Sequence, residues 1–184
     1  MVLGGWNSWV SCGCSVSEDD ALAAADALVT TGLRDAGLDH VVLDDGWSED
    51  EEDRCGRLRP DGRWFPRGLE PLAAELHTRR LRLGIYTSAT DRTCAQRTGT
   101  RAGETGSWGF EETDAATFAA WGVDLVKDDW CSSWGDLADQ RASFARMRRA
   151  LRAANDAIVL CVNPNSHHPA RTGFHHDWAE VADW

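Results

Sequence analysis

The sequence predicts an α/β fold in which successive βα units build a parallel sheet. Three observations carry that prediction. Apolar runs of strand length alternate with longer segments of helical periodicity. Long polar loops follow the predicted strands, whereas the helix-to-strand links are short, as from Arg79 to Leu81 and from Trp121 to Val123. The strand ends also collect Asp, Asn, Lys and aromatic residues, the pattern of a barrel whose working face lies at the strand C-termini.

Residues 2–6 read as the first strand and residues 18–36 as a helix with Ser17 as its N-cap. Leu22, Ala25, Val29 and Leu33 share one stripe of that helix, with Leu28 beside them. Residues 40–45 form the second strand, and a loop rich in Asp, Glu, Gly and Arg covers residues 48–66. Residues 69–79 are helical, and residues 81–87 form the third strand with Tyr86 near its end. A Gly/Thr-rich loop leads to a helix over 113–121, a fourth strand over 123–129, a helix over 137–154 and a fifth strand over 157–163. No linker or repeat divides the 184 residues, so residues 1–184 read as one domain with one sizeable core. Five to six βα units fit this length, whereas a closed (β/α)8 barrel typically takes about 250 residues. Two readings stand at this point: a smaller open sheet, or the N-terminal part of an incomplete (β/α)8 TIM barrel.

Composition narrows the function classes. A net charge of −11 argues against a nucleic-acid partner, because phosphate binding needs a basic face, but it leaves a neutral sugar open. The longest apolar runs, such as residues 157–162, are far too short to span a membrane. The chain opens without a basic or apolar leader, so no signal peptide is expected within it. Six cysteines (Cys12, Cys14, Cys55, Cys94, Cys131 and Cys161) are too scattered for a zinc ribbon, and one or two disulfides in an exported protein fit them. His167-His168 and His175-His176-Asp177 raise a metal site as a rival reading. Two histidine pairs with six residues between them match no recognised ligand spacing, so they read as a solvated loop and no metal is expected.

Lys127 is the single lysine among 19 Lys and Arg residues, which points to a position that a planar guanidinium cannot fill. Strand alternation sends Lys127 and Asp129 to one face and Asp128 to the other. If that shared face is the barrel mouth, the ammonium keeps Asp129 ionised and competent as a nucleophile. The other strand ends add Trp6-Asn7, Asp44-Asp45, Tyr86 and Asn163.

In order along the chain stand Gly5-Trp6-Asn7-Ser8-Trp9, Leu43-Asp44-Asp45-Gly46-Trp47, Gly56-Arg57-Leu58 and Phe65-Pro66-Arg67-Gly68. They are followed by Leu83-Gly84-Ile85-Tyr86, Thr93-Cys94, residues 114–124 and Lys127-Asp128-Asp129. In this order and spacing the chain resembles glycoside hydrolase family 27, the α-galactosidases and α-N-acetylgalactosaminidases. The resemblance implies an incomplete TIM barrel, a terminal α-linked galactoside or related sugar as substrate, and no metal or cofactor. It implies Asp129 as the nucleophile of a retaining hydrolase, and Trp6, Asp44, Asp45, Tyr86 and Lys127 as lining of the sugar pocket. It also implies a disulfide between Cys94 and Cys131, and secretion fits the family. Asn163 falls near the position that meets the sugar's C2 substituent, so α-N-acetylgalactosaminidase, β-L-arabinopyranosidase and isomalto-dextranase specificities stay open. A non-catalytic sugar-binding remnant is the rival from another class.

The chain departs from the family pattern in places. Ser88 and Thr90 stand where Asp and Gly are common, and Gly46 stands where many members have Cys. Cys14 then lacks its usual partner, for which Cys55 is a candidate. The acid/base aspartate of the family follows a Trp-Arg motif, and the sequence stops at Trp184. Asp183 precedes that tryptophan and is a poor substitute. The chain alone is therefore expected to be inactive and poorly stable.

Overall fold

The computed structural model describes residues 4–50, 56–164 and 176–184. The elements run β1 (Gly5–Asn7), α1 (Trp9–Cys12), α2 (Glu18–Thr30), β2 (His40–Leu43), α3 (Leu69–Thr78) and β3 (Arg82–Ser88). They continue with α4 (Cys94–Arg97), α5 (Glu111–Ala120), β4 (Leu125–Asp129), α6 (Leu137–Ala154) and β5 (Val159–Asn163). Local chemistry sets several of these boundaries. Ser17 accepts from the Asp20 N–H while the Asp20 carboxylate accepts from the Ser17 N–H, a reciprocal cap that starts α2. Asp136 and Asp139 start α6 in the same way.

The sequence-predicted helix over 18–36 stops earlier, at Thr30, because Gly32 at φ 78° and Gly37 at φ 96° take the chain out of helical geometry. Leu33, placed by periodicity on the buried stripe, is consequently 42% exposed. α6 spans the residues predicted for it. The short helices α1 and α4 fall inside segments read as loops, since four residues are too few to show a period.

All strand pairs are parallel, and the sheet order β1-β2-β3-β4-β5 follows the chain. A doubly wound open sheet reverses its order at a switch point; the uninterrupted order here is that of a barrel wall. Alternation divides the strands between two faces. Val41, Leu43, Leu83, Ile85, Val126 and Leu160 are fully buried against α2, α3, α5 and α6, where Ala25, Leu72, Phe118 and Met147 meet them. Burial of one such aliphatic or aromatic side chain contributes about 1.5–3 kcal/mol, so this face holds the sheet to its helices. Val42, Leu125, Lys127 and Cys161 face the other way and, with Trp184, line an inner cavity of about 220 Å³. The backbone of Asp183 and Trp184 bonds to Leu160 and Val162, so the last residues lie along β5 as a sixth strand would. Among the described residues no helix is long and apolar enough to cross a membrane.

Candidate active site

Parallel register stacks the polar residues in two layers at the C-terminal end of the sheet. Tyr86, Lys127 and Cys161 are register partners, and Ser88, Asp129 and Asn163 form the next layer outward. Asp128 pairs with Thr87 and Val162 and takes the opposite face, as alternation requires. A cavity of about 270 Å³ opens over these layers, lined by Trp9, Asp44, Asp45, Tyr86, Lys127, Asp129, Asn163 and the disulfide residue Cys94.

Lys127 is the hub. Its Nζ donates to Asp44 Oδ2 at 2.9 Å and to Asp129 Oδ2 at 3.1 Å, and it lies 4.8 Å from the centre of the Tyr86 ring. Burial alone pushes the ammonium toward deprotonation, but Asp129 and Asp44 more than offset it and hold the group above the ordinary lysine value. Asn163 Nδ2 approaches the same oxygen of Asp129 at 3.5 Å. Asp129 is thereby a buried carboxylate, 5% exposed, that faces two donors at the mouth of a cavity. Asp44 also accepts from Asn7 Nδ2 at 2.6 Å and from the Asp45 N–H at 2.9 Å. These contacts are all with donors, so Asp44 is arranged as an acceptor and not as a proton source.

Asp45 is tied to the loop after β3, accepting from the Ala95 N–H at 2.8 Å and from Arg101 at 3.2 Å. Burial, only partly offset by those donors, raises its proton affinity. The Tyr86 hydroxyl accepts from the Cys94 N–H at 3.0 Å and lies 3.2 Å from Cys131 Sγ. Burial first, then the charges of Asp45 and Asp129, pushes the phenol well above its ordinary value and keeps it neutral. Cys94 and Cys131 form a disulfide between the loops after β3 and β4, with a Cα separation of 4.8 Å. Asp129 lies near both sulfurs, but a disulfide offers no thiolate, so this trio is no metal site.

The structure corrects one site assignment. Trp6 does not line this cavity. It is in register with Val41 on the helix-facing side and packs against the main core, because Asn7 takes the inward position of β1. Trp9, 45% exposed, supplies the aromatic wall instead. The Asn7 carboxamide sets its entry by accepting from the Trp9 N–H at 2.9 Å. Alternation counted from Asn7 would have found this. Asp183 also lies away from the site, held by Arg148, Arg152 and the Leu160 N–H, so it is no partner for Asp129. Cys14 is free and packs against Gly46, where a Cβ would come within 2.6 Å of the Cys14 backbone. Its candidate partner Cys55, and His167, His168 and His175, lie outside the described residues.

Comparison with known proteins is decisive on the family. The family model described as Alpha galactosidase A matches residues 10–183. The chain belongs to this family. It is 40% identical over 158 residues to an alpha-galactosidase A of Cellvibrio japonicus, covering 86% of this chain and 37% of that relative. It is also 40% identical over 156 residues to an alpha-galactosidase of Cyamopsis tetragonoloba, covering 85% and 36% of the two chains. Among solved structures, a putative alpha-galactosidase of Bacteroides fragilis superposes with a TM-score of 0.78 at 43% identity, covering 86% of this chain and 32% of that one. A Saccharomyces cerevisiae alpha-galactosidase solved with raffinose gives 0.83 at 30% identity, covering 98% and 38%. The chain thus spans just over a third of the length of the curated relatives it matches. Its five strands form part of a (β/α)8 barrel of the glycoside hydrolase family 27 type.

Proposed function

We propose that residues 1–184 are part of the catalytic barrel domain of a retaining exo-glycosidase that releases terminal α-D-galactosyl residues. Asp129 is the nucleophile in this reading. The observation that carries it is the pair of donors, Lys127 Nζ and Asn163 Nδ2, converging on Asp129 Oδ2 at the mouth of the cavity. The family match and the alpha-galactosidase names of the relatives support the sugar.

The chemistry follows from the groups present. Asp129 attacks the anomeric carbon, its new C–O bond forms as the aglycone C–O bond breaks, and a glycosyl-enzyme ester results. Ionic contact with Lys127 sets a positive charge beside the attacking carboxylate. Asp44 and Lys127 bind hydroxyls of the ring, while Trp9 and Tyr86 cover its apolar face. Retaining hydrolysis needs a second carboxyl roughly 5–5.5 Å from the first, to protonate the leaving oxygen and then activate water. Asp44 is occupied as an acceptor and Asp183 is remote, so the described residues supply the nucleophile's half of the pair.

Hydrolysis of a chromogenic α-galactoside by protein carrying the complete barrel tests the reading. Asp129→Ala should lower kcat/KM at least about 1,000-fold. Activity surviving that substitution at a tenth of the parent value or more would remove Asp129 from the role.

A further inference from the structure

A second cleft opens at the same end of the sheet, and the reaction above makes no use of it. Its walls are the turn from Ala89 to Asp91, Trp108 ahead of α5, Trp130 and Trp134 after β4, and the first turns of α6. It encloses about 380 Å³ and shares no lining residue with the cavity over Asp129. Trp108 is 58% exposed and Trp134 is 64% exposed. Two indoles on one concavity, more than half exposed among the described residues, offer flat apolar surface. Trp130, also in the wall, is 4% exposed, and its Nε1–H meets no acceptor among the described residues. An acceptor brought by a ligand would satisfy this buried donor.

The polar side chains of the cleft select the ligand's chemistry. Asp91, one oxygen of which is paired with Arg97, and Asp139, one oxygen of which accepts from the Asp136 N–H, each bring a second carboxylate oxygen, and Arg146 is engaged by Glu111 and Ser143. An anion is disfavoured by those carboxylates and by a chain charge of −11. A purely apolar ligand would offer no donor to the remaining oxygens of Asp91 and Asp139. A pyranose ring satisfies both demands: its axial C–H face stacks on indole and its hydroxyls donate to carboxylate and accept from indole N–H.

We propose that this cleft is a second carbohydrate-binding site that holds a neutral sugar unit of a polysaccharide apart from the Asp129 cavity. Its existence does not depend on the hydrolytic reading. Native electrophoresis of the chain in gels containing soluble galactomannan tests it. The chain should be retarded, and Trp108→Ala/Trp134→Ala should weaken retardation about tenfold, since each indole stack contributes on the order of 0.5–1.5 kcal/mol. Trp64→Ala, which removes an exposed indole that lines neither cavity, should leave retardation unchanged. Both cleft tryptophans are largely exposed, so the double variant should keep the parent circular dichroism. In 15N-labelled chain the Trp130 indole N–H resonance should shift on titration with galactomanno-oligosaccharide. Free galactose alone should act more weakly than the oligosaccharide. Absence of retardation, equal retardation of the double variant, or loss of retardation in Trp64→Ala would overturn the proposal. Loss of hydrolysis with cleft binding intact, or the reverse, separates this site from the reading of Asp129.

Discussion

At the scale of single residues, the adjacent carboxylates Asp128 and Asp129 differ because alternation puts them in opposite environments. Asp129 faces Lys127 and Asn163, whereas Asp128 is fully buried and neither of its oxygens meets a hydrogen-bond donor among the described residues. Burial, then the charges of Asp129, Glu111 and Asp114, pushes Asp128 well above the usual carboxylate range. A carboxylate with raised proton affinity in the fold favours folding fully below its unfolded pKa of about 3.9, and that contribution is lost as pH rises toward the folded value. Asp128→Val should therefore stabilise the chain by about 1–3 kcal/mol, with a larger gain at pH 8 than at pH 4 in parallel denaturant melts. Lys127 behaves in the opposite sense. Its raised affinity stabilises the fold throughout neutral pH and is lost only as pH climbs past the ordinary lysine value. Lys127→Met leaves Asp44 and Asp129 facing each other without a cation. The expected cost is on the order of 3–5 kcal/mol in a denaturant melt at pH 7. A loss below about 1 kcal/mol would argue that the ammonium is not the link between them. The lone lysine and the alternation around it were legible in the sequence. The Trp6 assignment came from the family resemblance, and alternation gives the inward position of β1 to Asn7 instead.

At the scale of elements, periodicity located the described strands and the helices α3, α5 and α6 to within a few residues. α6, amphipathic and capped by Asp136, came through unchanged. Where the sequence reading overran, as in the helix over 18–36, Gly32 at positive φ overrode an apolar stripe that continued past it to Leu33. The loops were legible only as loops, although they carry Trp9, Cys94 and Arg101 to the site. The Cys94–Cys131 pairing came from the family resemblance and is present in the structure. It joins the loops after β3 and β4 across a sequence separation of 37, and Tyr86 is wedged against it. Cys94→Ala/Cys131→Ala should lower stability by about 3–4 kcal/mol, as a loop of that length implies. It should also expose the Tyr86 phenol, lowering its titration midpoint toward 10 in a spectrophotometric titration. An unchanged tyrosine titration would show that burial by other neighbours suffices.

At the scale of the whole molecule, the five sequential parallel strands present an inner face with Lys127 and Cys161, and an outer face sealed by helices. Burial on that inner face pushes the Cys161 thiol up to about 12, so it is neutral beside the site and no competing nucleophile. The barrel order was readable from the βα alternation and the loop asymmetry. Its closure was not, because an apolar strand does not state which further strands pair with it. The central claim is that Asp129 is the group that bonds to the sugar. An activated fluorinated α-galactosyl donor isolates that step, since its leaving group departs without acid assistance. After incubation with such a donor, peptide mass spectrometry should find one galactosyl-type ester, on Asp129, and none in Asp129→Asn. An ester on Asp44 or Asp45, or labelling that persists in Asp129→Asn, would contradict the account.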